Sequence, residues 1–303
     1  DFQSNLREIL RIPEIHKERL ANLLRGDAAT TVDFDQFPFA RSFEFYQAVG
    51  NATAVQATVA IEYDELQANQ FGLNSHFSAD FLIALEQNGE VVAQSEKRLN
   101  FSLTFDEFQQ LRGTQILQTF QLLVPPGTYD LVVIARDNSS ERLGRTVEVI
   151  EVPDMAGQGL RMSTLTLASR IETIEFRPGD ELRDFQHGDM RVVPNVSRIY
   201  YTDQPLMIYL QVYGMALDPG TSTNDIMLHG EIRGGGTVRE IPGQYPHPAP
   251  YRRQSFSLGM PLVGYRPGVY EVELTVEDRI AGTSITTTTD FAVIGATQNA
   301  GSR

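Results

Sequence analysis

From Val55 onward the apolar positions of the chain recur at every second residue. Val55, Ala57, Val59, Ile61 and Tyr63 fall on one side of an extended segment, and Phe77, Ala79, Phe81, Ile83 and Leu85 repeat the pattern. Period two is the signature of a strand with one face on a core. Asn88-Gly89 follows, and this pair supplies the two positive-φ positions of a type I′ turn, so it predicts a hairpin. Leu99, Phe101, Leu103 and Phe105 alternate next. Thr104 and Glu107 then stand at capping-box spacing ahead of a short helix that Gly113 ends. Ile116, Phe120, Leu122 and Val124, then the stretch PPGTYDLVVIARD, then RTVEVIEV complete a set closing at Val152. About seven strands in ~100 residues, with turn signals between them and no long helix, predict an immunoglobulin-like β-sandwich over residues 54–152.

PDMAGQG at 153–159 reads as a linker, because Pro and Gly follow a finished strand set. A second sandwich is expected over 160–295. It runs from LRMSTLTLAS through RVVPNVSRIYY, PLMIYLQVYGM, IMLHGEIRG and RRQSFSLGM to SITTTTDFAVIG. The small polar residues 296–303 are expected to form a flexible tail.

Both halves contain one sentence. PPGTYDLVVIARD starts at Pro125 and RPGVYEVELTVED at Arg266. In each, Pro-Gly turns the chain, a Tyr (Tyr129 or Tyr270) enters a strand, inward residues alternate, and an Asp (Asp137 or Asp278) precedes the last strand. This is the penultimate-to-final hairpin of a sandwich, with the Tyr plugging one end of the core. The copies differ between the inward positions. Glu271, Glu273, Thr275 and Glu277 predict a solvated outer face in the second, whereas Val132 and Ile134 predict a covered one in the first alone.

Ahead of these modules, residues 1–30 carry helical spacing: Leu6, Ile9 and Leu10, then Ile15, Leu20, Leu23 and Leu24 after Pro13. Residues 31–53 form a Phe-rich extended strap. Phe34, Phe37, Phe39, Phe43 and Phe45 either cover the first sandwich or dock on a neighbouring subunit by strand addition.

Charge narrows the partners. The net charge is −14, and an acidic surface repels phosphate backbones, which sets nucleic acid and anionic membranes aside. The chain has no Cys, which excludes disulfides, thiolate-bound zinc and thiol catalysis. The longest apolar runs are far below the ~20 residues of a membrane helix. A first residue Asp1 rather than Met suggests a processed chain or a fragment, and a mature exported chain is the expectation.

Candidate chemistry is sparse. His16, His76, His187, His229 and His247 are scattered without ligand spacing. RGGGT at 233–237 lies among strands and reads as a hairpin tip, since a phosphate cradle needs a following helix. Asp180, Glu181, Asp184 and Asp189 share one segment and form a weak calcium candidate beside the plainer reading of a solvated acidic loop. No cofactor is expected. Tyr209 and Tyr213 share a strand face with Met207 and Gln211, opposite Leu206, Ile208, Leu210 and Val212. That aromatic face either stacks on sugar rings or a protein partner, or is covered by the domain's own loop 214–225. YPHPAPY at 245–251 is a Pro-rich extended segment, a rigid loop or a docking strap. Asn51, Asn100, Asn138 and Asn195 each begin a glycan-acceptor triplet, so attached as well as bound glycan stays open.

VAIEYDELQ, FLIALEQNGEVVAQ and GTYDLVVIARDNSSERLGRTVEVIEV resemble the first β-rich module of GWxTD-domain and related von Willebrand-A-associated proteins of acidobacterial type. LRMSTLTLAS and VPNVSRIYYTDQPLMIYLQVYGM resemble the second module. The likeness spans roughly Val55 to Tyr213. The chain lacks Trp, so the Gly-Trp-x-Thr-Asp motif itself is absent. The resemblance implies a bacterial, extracytoplasmic β-sandwich protein (secreted, periplasmic or on the cell surface) without a known enzymatic role, and it transfers no functional residue. The expectation is therefore a non-enzymatic structural protein that assembles through protein contacts as a homo- or hetero-oligomer. The alternative is a carbohydrate-binding accessory module using the second-domain tyrosines.

Overall fold

The computed structural model describes residues 36–175 and 184–295. The expected helices of 1–30, Phe34, Asp180, Glu181, His16 and the tail at 296–303 lie outside the described residues. The strands in chain order are β1 (Ala40–Gln47), β2 (Thr53–Glu62), β3 (Asn69–Phe71), β4 (Asn74–Gln87) and β5 (Glu90–Thr104). The helix α1 (Phe105–Leu111) follows, then β6 (Gln115–Val124), β7 (Gly127–Asp137) and β8 (Leu143–Val152). After these come β9 (Arg161–Met162), β10 (Thr166–Thr173), β11 (Gln186–His187), β12 (Met190–Pro194) and β13 (Ile199–Tyr201). The series ends with β14 (Pro205–Tyr213), β15 (Ile226–Gly234), β16 (Thr237–Gln244), β17 (Arg253–Pro261), β18 (Gly268–Asp278) and β19 (Thr283–Ile294). The fold is mainly β, built as two β-sandwich units. The described residues of one are 36–40 and 59–152; those of the other are 41–58, 153–175 and 184–295.

In the first unit β4 is the central strand, with β5 on one side and β7 then β8 on the other. The Asn88-Gly89 turn joins β4 to β5 with φ of 54° and 79°, as the dipeptide predicts. Phe81, Ile83, Leu131 and Val133 share one face by register, and the Phe81 ring lies 6.5 Å from Phe120 of β6. The capping box forms: the Thr104 hydroxyl accepts from the Glu107 N–H, and the Thr104 N–H donates to the Glu107 carboxylate. That cap sets α1 so that Phe108 stacks on Phe77 at 5.4 Å. The opposite face of the sheet is also buried, with Leu82, Ala84, Val132, Ile134 and Leu143 in one cluster. Asp80 on that face is buried and held by Arg98 through two bonds of 2.5 and 2.8 Å.

In the second unit β11-β12-β10-β14-β17 form one sheet, with β9 also on β14, and β13-β19-β18-β15-β16 form the other. Leu206, Ile208, Leu210 and Val212 meet Leu228, Val272, Leu274 and Val276 in the core between them.

The repeated sentence has one structural meaning in both units. The Tyr129 hydroxyl donates to the Pro125 carbonyl at 2.9 Å, and the Tyr270 hydroxyl to the Arg266 carbonyl at 2.8 Å. Each ring closes the end of its core while its polar tip is satisfied four residues back. The terminal aspartates also match. Asp137 accepts from the N–H groups of Gln67 and Ser139; Asp278 accepts from those of Ala216, Ile280 and Ala281. Each therefore ties its own turn to a distant loop. RGGGT is the β15–β16 hairpin tip. A Cβ on Gly234 would collide with the Tyr270 ring, so only glycine admits the plugging ring there.

A covered outer face is not confined to the first unit. In the second, Tyr46 and Ala54 of the β1–β2 hairpin cluster with Ala168, Val192 and Tyr209 on the outer face of the β14 sheet. Met207, Tyr209 and Tyr213 make that face too apolar to leave in water, and the hairpin covers it.

Candidate functional site

The Phe-rich strap divides. Phe37 is buried in the first unit, its N–H donating to the Leu143 carbonyl and the Arg142 guanidinium lying 5.5 Å over its ring. Phe39 is half-buried against Gly144. Phe43 and Phe45 are half-buried in the second unit, their rings 5.7 Å apart. The described strap phenylalanines therefore belong to different units, Phe37 and Phe39 to the first and Phe43 and Phe45 to the second.

Period two then has a consequence on β1 that the phenylalanines mask. Ser42, Glu44 and Tyr46 alternate with Phe43 and Phe45, and it is the polar set that is fully buried. Phe45 fixes the strand by donating its N–H to Thr164 Oγ1 at 2.9 Å, and its carbonyl accepts from the Thr164 N–H. Tyr46 and Thr166 share a hydroxyl–hydroxyl bond of 2.7 Å. The Tyr46 ring lies 4.5 Å from the His187 imidazole and 6.4 Å from Tyr209.

Tyr209 and Tyr213, placed by the sequence on an available aromatic face, are both buried under this cover. Their cover is β1 with His187, and not loop 214–225. They belong to one hydrogen-bonded network. Gln211 Nε2 donates to the Tyr209 hydroxyl at 2.6 Å, which donates to Ser255 Oγ; the Tyr213 hydroxyl donates to Gln211 Oε1 at 2.8 Å. Arg253 donates to the same Gln211 oxygen, and the Gln47 N–H donates to the Tyr213 hydroxyl at 3.1 Å. Neither ring is open to a sugar.

Burial sets the protonation states. It pushes the Glu44 carboxyl up from its ordinary 4.5 to about 7, with the nearby Ser42 hydroxyl and the Arg198 charge opposing. It pushes His187 down to about 4, helped by Arg253. Tyr213 is pushed up to about 12 and Tyr46 well above the usual phenol range. Near neutral pH the face under β1 thus holds an acid whose proton affinity burial has raised towards neutrality, a neutral imidazole and neutral phenols. Perturbed groups gathered in one place are a functional-site signature; Glu44 and Tyr46 carry no signal in the sequence, and His187 stands there only as one of five scattered histidines.

Asp184 and Asp189 are exposed. Among the described residues no group of three or more His, Asp and Glu side chains is placed to hold a metal ion. His76 bonds Ser102 at 2.6 Å and His229 meets Glu277 at 3.1 Å, so each has a local partner within its own sheet.

The second feature is YPHPAPY. Asn224, itself buried, clamps it through three bonds: its N–H to the Ala249 carbonyl at 2.9 Å, its Nδ2 to the Tyr251 carbonyl at 2.9 Å, and its Oδ1 from the Ala249 N–H. Arg279, paired with Asp225 at 2.7 Å, lies 5.4 Å over the Tyr245 ring. Tyr245 and Tyr251 stay 64 % and 63 % exposed.

No protein-family model and no curated protein matches the chain. Among solved structures it is similar to the crystal structure of red sea bream transglutaminase, at 11 % identity and a TM-score of 0.22, over 84 % of this chain and 31 % of that one. The chain thus spans about a third of that protein's length. The expectation that the chain is not an enzyme is withdrawn: that protein is an enzyme, and nothing in the comparison bears the expectation out. A likeness of this TM-score assigns the chain no reaction of its own.

Proposed function

We propose that this chain is an extracytoplasmic assembly protein that acts through protein–protein contacts, as a subunit of a complex, surface layer or filament. The observation that carries the reading is the clamped Tyr245–Tyr251 segment. Three prolines fix its backbone, and a Pro has no N–H to give to a sheet ladder. The three Asn224 bonds remove most of what freedom remains. Two tyrosines are thereby held out in solvent with little ordering entropy left to lose on binding. Exposed, preorganised tyrosines are the side chains protein interfaces favour. The location rests on the resemblance to exported modules.

Size-exclusion chromatography with light scattering over a concentration series tests this, with a Tyr245→Ala/Tyr251→Ala variant alongside. Self-association, or a complex with a partner from native extract, that the double variant loses is the expected result. A strictly monomeric chain that gains no partner overturns it.

A further inference from the structure

Four polar side chains lie on one face of the β1–β2 hairpin. Ser42 and Glu44 share a face of β1 with Tyr46, and Gln56 and Thr58 share a face of β2 with Ala54. Tyr46 and Ala54 pack in the same cluster, so these are the same side of the hairpin. Exposure is 8 % for Ser42, 5 % for Glu44, 7 % for Gln56 and 0 % for Thr58. Yet Ser42 Oγ, Glu44 Oε2, Gln56 Nε2 and Thr58 Oγ1 each lack a hydrogen-bond partner among the described residues. The Ser42 hydroxyl lies close enough to the Glu44 carboxyl to lower its proton affinity, against the effect of burial. Buried polar atoms without partners are rare, because each has given up its hydration with nothing to replace it. Four together on paired strands imply a shared occupant.

The chemistry of the four narrows what it is. An anion would face the Glu44 carboxyl. A cation would find one carboxyl group, with the Arg198 charge acting on that same group. Donors and acceptors are mixed: an amide N–H₂, two hydroxyls that both give and take, and a carboxyl oxygen. Neighbouring positions on paired strands are ~5 Å apart and alternate positions on one strand ~7 Å, which is the span of one or two water molecules. We propose that the β1–β2 hairpin face is an internal water site, in which ordered water bridges Ser42, Glu44, Gln56 and Thr58. Water that makes about three bonds to such groups is part of a fold. The site accounts for a buried hairpin face that is polar where an apolar one would pack more simply.

A high-resolution crystal structure of the whole chain tests this directly. Density for water within roughly 2.7–3.2 Å of at least two of the four atoms is expected. A metal ion there, or no density, overturns the proposal. Thr58→Val gives an independent reading by its sign. If water bridges Thr58 Oγ1, the variant strands that water and Tm falls by roughly 2–4 °C. If the hydroxyl is buried and unanswered, Val removes a penalty and Tm rises, which overturns the proposal. Thr58→Ser keeps the hydroxyl and should keep the water in its crystal structure.

Discussion

Replacing Glu44 with Gln changes the pH dependence of stability in a way that only a buried carboxyl produces. In the unfolded chain the group titrates near 4.5, and in the folded unit near 7. Between those values the folded state holds a proton that the unfolded state has released. Stability contributed by this group is therefore full below about pH 4.5 and is lost as pH rises to about 7, beyond which the loss is constant. At about 1.4 kcal/mol per pH unit, the interval corresponds to ~3 kcal/mol. The amide in Glu44→Gln keeps the shape of the side chain and has no charge to desolvate. The variant and the wild type should differ by a fixed amount below about pH 4.5. The difference should then grow in the variant's favour by ~3 kcal/mol up to about pH 7 and level off. His187 carries the opposite slope: its proton affinity is lowered on folding, so stability falls as pH drops from 6.5 towards about 4. The wild type should accordingly look nearly flat from about pH 4.5 to 6.5, and the Glu44→Gln variant should reveal the His187 slope. The chain has no Trp, so Phe45→Trp places the single Trp on β1 in both backgrounds, excited selectively over the tyrosines at the red edge of absorption. Urea transitions followed by its emission from about pH 4.5 to 8 give the two curves. A difference between them that does not change with pH refutes the reasoning.

Two further predictions address the frame. Tyr129→Phe and Tyr270→Phe each leave the ring and delete one hydroxyl–carbonyl bond, and each should destabilise its unit by about 1 kcal/mol in urea denaturation; equal and negligible effects would show that the rings alone close the cores. Arg98→Met leaves the buried Asp80 carboxylate without its two-bond partner and should destabilise the first unit by roughly 3–5 kcal/mol in the same assay, most of it recovered in Asp80→Leu/Arg98→Met.

What the chain's residue pattern reveals depends on how local the physics is. Asn88-Gly89 and the Thr104–Glu107 cap are decided within four residues, and both form as read. The two faces of β14 follow from period two: Leu206, Ile208, Leu210 and Val212 go to the core and Tyr209 and Tyr213 away from it. What covers Tyr209 is another matter. Its cover comes from Tyr46, far earlier in the chain, and no local pattern encodes a contact of that range. In FARSFEFYQ the dense phenylalanines draw the eye to the wrong register of burial. Hydrophobicity puts Phe43 and Phe45 inside, whereas the bonds of Thr164 and Thr166 hold the strand with Ser42, Glu44 and Tyr46 inside instead. The polar chemistry under β1 is unreadable for the same reason, since a Glu between two phenylalanines looks like the solvated side of a strand.

The membership of residues 41–58 also bears on how the protein is made. Tyr46 bonds Thr166 across 120 positions, and Gln47 bonds Tyr213 across 166. At ribosomal speeds of about 5–20 residues per second, the hairpin leaves the ribosome on the order of 10 s before the surface it is to cover exists. Through that interval Tyr46, Phe43 and Phe45 are a nascent sticky strand awaiting a late partner. A gene fragment begun at Pro153 would encode a second sandwich deprived of its lid, and its Tyr209 face would be the first place for such a fragment to clump.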